Sequence, residues 1–208
     1  MATIKRQVFY SFEYKPDVFR VQQVINMGKV EGEPLLSSNA WEEVKKGIGG
    51  IKKWIDDNML YRSCIIVLVG SNTSNREWVQ YEIEKGWNDG KGVVGIHIHN
   101  LECAKTGYCN IGLNPFNQFI LKDGEVKKNL FDPTKTFSFS DLYPIYLSDV
   151  IKCYDPPIYS VAQLFLDPKL TTGQVVYRHI RDNVESWVEE AISIRNKYKT
   201  KYYPWLPF

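Results

Sequence analysis

Residues 63–100 carry the strongest structural pattern in the chain and read SCIIVLVGSNTSNREWVQYEIEKGWNDGKGVVGIHIHN. The run 63–70 is apolar without alternation, which is typical of a central parallel strand covered on both faces. A Ser/Asn-rich turn follows, and then a helix from about residue 76 to 87 that Gly90 ends. Residues 92–100 form a second apolar run. Strand, helix and strand in this order predict a βαβ unit and a mostly parallel sheet.

The rest of the chain extends the same pattern. We predict a first strand at 7–14, a loop at 28–41 with at most one short strand, helices after Pro16 and over 41–60 and 171–198, and a last strand within 142–150. Together these elements predict one domain over 1–208, an open α/β sheet of about five strands with helices on both faces. Its core covers about 6–100 and 142–198. Residues 101–141 are predicted to be an insertion after the fourth strand, in which KDGE (122–125) marks a hairpin.

Composition excludes several classes of function. The 26 basic and 24 acidic residues are interspersed, so no basic stripe favours nucleic acid binding. No apolar run reaches the roughly 18 residues of a membrane span, and the N-terminal segment does not resemble a signal peptide. The 4 cysteines are scattered, which is typical of free thiols in a reducing compartment. We therefore expect a cytoplasmic protein with no membrane or nucleic acid partner.

Ligands of open α/β sheets bind outside the carboxyl ends of the strands. The usual phosphate-binding glycine motifs are absent, and the strand at 63–70 ends in VGSN without the carboxylate that a receiver domain needs. His97, His99, Cys103 and Cys109 match no common zinc spacing, and packing explains them more simply. We therefore predict no metal site and no bound cofactor.

Glu82 is the candidate for chemistry. It follows Trp78 by four residues, so the two side chains share a face of the predicted helix. If the tryptophan anchors the helix to the core, the carboxyl group is held at a fixed place. A solvated or ion-paired glutamate is the simpler alternative. The position of the helix after the central strand favours a carboxylate facing a crevice, lined by Phe9, Ser11, Phe12 and Tyr14.

Three segments of the chain resemble a known family. VFYSFEY (8–14), CIIVLVGSNTSNREWVQYEIEKGW (64–87) and GVVGIHIHNL (92–101) are similar to the TIR-like ThsB proteins of the Thoeris anti-phage defence system. The likeness covers roughly residues 6–120, and the combination of the segments is more specific than any one of them. The resemblance implies a TIR-type, flavodoxin-like fold and an enzyme that consumes NAD⁺.

The resemblance also implies a mechanism and partners. In TIR enzymes the carboxylate four residues after a helix tryptophan is catalytic, and that position here is Glu82. ThsB-like proteins convert NAD⁺ to nicotinamide and a cyclic ADP-ribose isomer, a second messenger that activates a ThsA-like effector. NAD⁺ is then a substrate and not a cofactor. Catalytic TIR domains often need self-assembly, which is a further expectation for this chain.

The other candidate residues would bind the substrate. Phe9, Phe12 and Tyr14 could stack on a ring and exclude water, and Ser11 and Ser71 are polar groups near the same end of the sheet. Arg20 could hold the pyrophosphate, although a surface arginine is an equal alternative. A non-catalytic TIR-like module, which binds a nucleotide or assembles with other proteins, remains the alternative to the enzyme.

Overall fold

A computed structural model of the chain describes residues 5–35, 43–44, 46–47, 49–129, 144–158 and 171–202, with side chains through residue 198. The main sheet is parallel and has the order β1-β2-β3-β7. Its strands are β1 (Val8–Phe12), β2 (Cys64–Val69), β3 (Gly92–His97) and β7 (Cys153–Tyr154). A second, antiparallel sheet has the order β5-β4-β6, from β4 (Phe119–Lys122), β5 (Glu125–Lys128) and β6 (Ile145–Tyr146).

Helices cover both faces of the main sheet. They are α1 (Tyr14–Asn26), α2 (Gly50–Met59), α3 (Glu77–Asn88), the short α4 (Leu147–Val150) and α5 (Thr172–Tyr202). Helices α1 and α5 share one apolar cluster with the sheet, and α2, α3 and the insertion share the other. All six residues of β2 are buried, because side chains on both of its faces meet a helix layer. The open α/β architecture predicted from the sequence is confirmed.

Among the described residues the main sheet has four strands, where the sequence predicts about five. Beyond β1 the chain makes a single parallel bridge, between Gln7 and Glu31, and then turns away. The predicted last strand is also displaced. Within 142–150, the described residues Ile145–Tyr146 join the small sheet, and Cys153–Tyr154 completes the main one. The predicted helix over 41–60 is interrupted at Gly49, whose φ of 78° lies in the left-handed region.

The predicted hairpin at KDGE is present as β4 and β5. Asp123 and Gly124 have φ values of 53° and 81°, as a two-residue turn with primed geometry requires. The hairpin packs behind α3: the Trp87 indole donates to Gly124 O at 3.2 Å, and Asn88 exchanges two hydrogen bonds with the backbone of Val126. This part of the insertion therefore braces the helix that carries Glu82.

The long helix α5 does not have the character of a membrane span. Among the residues that the structure describes, no helix combines the length and the hydropathy needed to cross a bilayer.

Candidate active site

A cavity of about 380 Å³ opens at the carboxyl end of β1, between α3 and the loop that precedes residue 36. Its volume lies within the roughly 300–1,000 Å³ of small-molecule sites. Aromatic side chains form much of the wall: Phe12, Tyr14, Trp54 and Trp78. The cavity has the location that ligand sites take in open α/β sheets.

Glu82 lines this cavity from α3 and is only 7% exposed. The hydroxyl of Ser11, on β1, donates a hydrogen bond to its Oε2 at 2.5 Å. Helix α3 lies close enough for this contact because Gly86, one turn later, has no side chain. A Cβ at Gly86 would lie 2.5 Å from Cγ1 of Ile65 on the central strand. Helix and strand are thus packed so that the carboxylate reaches the end of β1.

Burial controls the protonation of this carboxyl group. Loss of solvent raises the pKa of Glu82 to about 8, the Ser11 hydrogen bond acts in the opposite direction, and the negative charge of Glu33 raises it further. Among the described residues, no cationic side chain contributes to this shift of the Glu82 pKa. A carboxyl group with a strongly raised pKa beside a cavity is a feature of acid–base and electrostatic catalysis.

Trp78 shares the face of Glu82, but it does not anchor the helix as the sequence interpretation assumes. Its side chain is 39% exposed, borders the cavity and meets Tyr81 edge-on at 6.1 Å between ring centroids. The buried side chains of Val79, Ile83 and Trp87 pack α3 onto the sheet. The four-residue spacing therefore brings an aromatic ring and a carboxyl group to one cavity. The ring lines the cavity instead of anchoring the helix.

Glu33 is a second buried carboxyl group of the cavity, which the sequence analysis missed. It is 7% exposed, and its Oε1 accepts a hydrogen bond from the backbone N–H of Tyr10 at 2.9 Å. Burial raises its pKa to about 7 against the opposing effect of backbone N–H donors and Arg62. It belongs to no motif, and the only sequence signal was that its loop lies at the carboxyl edge of the sheet.

Charged side chains of both signs stand at the rim. Arg76, just before α3, forms an ion pair with Glu13, and Lys15 lines the same cavity. The Arg76 side chain is 49% exposed, so its guanidinium remains accessible to solvent and to an anionic ligand. Arg76 was also missed, because the sequence pattern shows only a residue that precedes a helix.

The predicted site residues fall into three groups. Phe12 and Tyr14 line the cavity with Glu82. Ser11 is fully buried and reaches the site only through its bond to Glu82. The remaining predicted residues, Phe9, Arg20 and Ser71, do not line the cavity.

Two of the outlying residues have clear structural surroundings. Phe9 is fully buried in the core, 6.0 Å from Trp54 between ring centroids. Ser71 is exposed in the turn after β2. Neither side chain lines the cavity, and Phe9 points to the face of β1 opposite to Tyr10 and Phe12, which do.

Arg20 was predicted to hold a pyrophosphate, but its guanidinium is enclosed by protein acceptors. It is 2% exposed and donates to the backbone oxygens of Leu101, Gly107 and Pro16 and to the carboxylate of Asp17. These bonds tie α1 to the chain beyond β3. The arrangement gives Arg20 a structural role, because a pyrophosphate would have to displace several of these acceptors.

The histidines and cysteines at the end of β3 and after it stay without a metal assignment. Burial lowers the pKa of both His97 and His99 against the opposing effect of Asp155, which favours the neutral form of both rings. In the described ranges, no cluster of three or more His, Cys, Asp or Glu side chains is arranged to hold a metal ion.

Comparison with known proteins shows to which family this part of the chain is similar. Residues 9–103 match the model of the family described as "Thoeris protein ThsB, TIR-like domain". The chain is also 36% identical over 121 residues to the Bacillus cereus (strain MSX-D12) protein named "Putative cyclic ADP-D-ribose synthase ThsB1". That alignment covers 54% of this chain and 62% of the relative, so the two are compared over somewhat less than two thirds of the relative's length. The matched segment contains most of β1, the central strand and the helix that carries Glu82, so this part of the chain is similar to the TIR-like domain of Thoeris ThsB proteins.

Proposed function

We propose that this protein cleaves the nicotinamide–ribose bond of NAD⁺ and closes the remaining ADP-ribose into a cyclic isomer. One observation carries the proposal: the buried carboxyl group of Glu82 lines a cavity with aromatic walls at the carboxyl end of β1. The TIR-like ThsB match and the name of the Bacillus cereus relative support the choice of NAD⁺ as substrate. Glu82 is the proposed catalytic residue.

The proposed reaction begins with loss of nicotinamide. The bond between C1′ of the ribose and the pyridinium nitrogen breaks, and its electron pair neutralises the nicotinamide ring. The leaving group is then neutral, so it needs no general acid. Positive charge develops on C1′ and the ring oxygen, as in glycoside cleavage. An ionised Glu82 beside the ribose would stabilise that charge within a site of low dielectric constant.

Cyclisation completes the reaction. An adenosine hydroxyl of the same molecule attacks C1′, a C–O bond forms, and the hydroxyl proton passes to a base. Glu82 is the base in our proposal, and the proton then exchanges with solvent. Water would give linear ADP-ribose instead, so the aromatic walls formed by Phe12, Tyr14, Trp54 and Trp78 favour the cyclic product by excluding it.

The charge state of Glu82 is linked to the substrate. With a pKa of about 8 the empty site holds a proton at pH 7. The nicotinamide ring of NAD⁺ is cationic, and a cation close to a carboxylate favours its ionised form. Substrate binding would therefore expel the proton and prepare the carboxylate for the reaction.

The pyrophosphate of NAD⁺ needs cationic partners at the rim. Arg76 and Lys15 are the lining side chains with that charge, and we assign the pyrophosphate to them in place of Arg20. A guanidinium can bind phosphate oxygens with two parallel hydrogen bonds. To do so, Arg76 would exchange its ion pair with Glu13 for the ligand.

The cyclic product would act as a diffusible signal. As expected from the family resemblance, we propose that it activates a ThsA-like effector during phage infection. Direct contact between the two proteins is then unnecessary, and self-assembly of the TIR-like domain would control when the site is active.

Mass spectrometry of small molecules from phage-infected cells tests the proposal. Cells expressing the wild-type chain should accumulate a species with the mass of cyclic ADP-ribose and lose NAD⁺. Glu82→Gln should abolish both effects, with a loss of activity of about 100-fold or more. Glu84→Gln, on the same helix, is the matched control and should behave like the wild type. If wild type and Glu82→Gln both protect against phage without any change in nucleotides, the enzyme hypothesis is overturned. That result would favour a non-catalytic module that binds a nucleotide or assembles with other proteins.

A further inference from the structure

Glu33 has a carboxylate oxygen that the protein leaves without a partner. Its Oε1 accepts the hydrogen bond from Tyr10, but Oε2 is buried and has no hydrogen-bond partner among the described residues. Buried polar atoms of native proteins almost always have a partner, because an unpaired one loses its hydrogen bonds to water without replacement. The free oxygen therefore requires an explanation beyond the fold.

The structural role of Glu33 accounts for only one of its two oxygens. The bridge at Gln7 and Glu31 ends the parallel pairing along β1, so the next edge donor, Tyr10 N–H, lacks a backbone acceptor from a neighbouring strand. The Glu33 side chain supplies the missing acceptor with Oε1. Gly32 makes the arrangement possible, since a Cβ there would lie 2.3 Å from Cε2 of Tyr10. Oε2 contributes nothing to this contact.

The surroundings of Glu33 indicate what could bind the free oxygen. Glu33 lines the same cavity as Glu82, and its charge acts on that carboxyl group. Of the two other carboxyl groups that line the cavity, Glu82 accepts a hydrogen bond from Ser11, and Glu13 is paired with Arg76 through Oε1. A neutral hydrogen-bond donor of the ligand therefore suits Glu33 well, because it satisfies Oε2 without competing with the ion pair at the rim.

We propose that Glu33 is a second substrate-binding residue, whose Oε2 accepts a hydrogen bond from a ribose hydroxyl of the bound dinucleotide. The inference rests on the proposed function, since NAD⁺ supplies the hydroxyl groups. Glu82 acts at the reacting C1′, whereas Glu33 positions a sugar and selects for ribose. A ligand that lacks the contacted hydroxyl leaves a buried carboxylate unpaired, which is a strong basis for rejection.

Calorimetry with deoxy analogues tests this role. The parent protein for this test is Glu82→Gln, in which turnover is blocked. NAD⁺ and four analogues, each lacking one ribose hydroxyl, are titrated into it at pH 8.5, where Glu33 is ionised. One analogue should bind about 10-fold or more weakly than NAD⁺, and its identity shows which ribose Glu33 contacts. In Glu33→Gln on the same background, NAD⁺ should bind more weakly and that analogue should bind as well as NAD⁺. Glu33→Gln keeps an oxygen for Tyr10 N–H but replaces the free acceptor with an amide.

Controls separate the possible failures. Glu31→Gln, added to the parent, removes a charge from the same loop at an exposed position. This variant should still bind NAD⁺ more tightly than the selected deoxy analogue. Glu33→Ala, checked for its melting temperature, provides a second variant in which discrimination should also be lost. Equal binding of all five ligands by the parent, or the same discrimination in the Glu33 variants, overturns the inference and leaves the proposed function intact. Absence of any NAD⁺ binding by the parent overturns the proposed function, and the inference with it.

Discussion

Two buried polar groups lie near the carboxyl edge of the sheet, and they differ in what surrounds them. Around Arg20, four donor contacts reach acceptors of the protein, and the side chain does not line the cavity of Glu82. Around Glu82, one hydroxyl donates to the carboxyl group, and the side chain lines a cavity that Glu33 also lines. The first group joins segments of the chain, and the second is available to a ligand.

The comparison shows that burial and charge alone do not identify a site. Asp17, the partner of Arg20, is also fully buried, and burial raises its pKa against the opposing effect of Arg20. Its Oδ2 packs over Gly70, where a Cβ would lie 2.0 Å away, so no space remains for a ligand. Glu82 and Glu33 have raised pKa values and open space beside them. Space next to an incompletely paired carboxyl group is the distinguishing property.

Replacing Arg20 should have the largest effect on stability. Arg20→Met removes the four hydrogen bonds and leaves Asp17 buried without a cation. We expect a loss of about 3–5 kcal/mol in the free energy of unfolding, measured by urea denaturation. Arg6→Met, whose ion pair with Glu189 is half exposed, is the control and should cost about 1 kcal/mol or less. A small effect at Arg20 would remove the contrast between the two regions.

Glu82 should destabilise the protein as the pH rises, in contrast to a paired carboxylate. Its pKa is about 8 in the folded protein against 4.5 as the ordinary value, so the folded state binds the extra proton between these pH values. The free energy of unfolding should therefore fall as the pH rises from about 4.5 to 8. Glu82→Gln should flatten this dependence and be more stable than the wild type at pH 8, by on the order of a few kcal/mol.

Glu33 contributes in the same direction up to about pH 7, so the variant should keep part of the slope. Urea denaturation at several pH values measures the difference, with Glu84→Gln as control. Identical slopes in wild type and Glu82→Gln would contradict the raised pKa.

Ser11 should affect activity through the charge of Glu82. Ser11→Ala removes the hydrogen bond that favours the ionised form, so the pKa of Glu82 should rise further. We expect kcat/KM for NAD⁺ to rise with pH through about 8 in the wild type, and this limb to move to higher pH in the variant. The loss near neutral pH should be about 10-fold or more. Ser63→Ala, at the opposite end of β2, should leave the profile unchanged.

Arg76 should have a smaller effect, mainly on substrate binding. Arg76→Met removes an exposed cation that we assign to the pyrophosphate, and the KM for NAD⁺ should rise about 10-fold with little change in kcat. Lys53→Met removes an exposed cation on α2 that does not line the cavity, and it should have no effect. Equal effects of the two substitutions would indicate a general loss of positive charge and not a specific contact.

The sequence predicts the architecture well where hydrophobic pattern determines it. The apolar runs of β2 and β3 and the helix between them lie where the pattern places them, because each buries a continuous surface. The sequence predicts the edge of the sheet beside β1 less well. In the described residues, this edge carries a single bridge at Glu31 and no strand, and no local pattern indicates that difference. The break at Gly49 depends on a backbone angle and not on hydrophobicity.

The site is harder to predict because it is assembled from distant segments. The four-residue spacing brings Trp78 and Glu82 to one cavity, and the end of β1 supplies Phe12 and Tyr14. Glu33 comes from a loop without a motif, and its burial depends on the edge of β1. Arg20 shows the opposite error: helical spacing cannot reveal that backbone oxygens of Leu101 and Gly107, far along the chain, accept hydrogen bonds from its guanidinium.

A crystal structure of Glu82→Gln with NAD⁺ bound would test the central claim most directly, since it shows which of the two regions receives the ligand. The account predicts the nicotinamide ribose within hydrogen-bond distance of residue 82, with the pyrophosphate beside Arg76. Density for the dinucleotide at Arg20, or anywhere outside the cavity of Glu82, would contradict it.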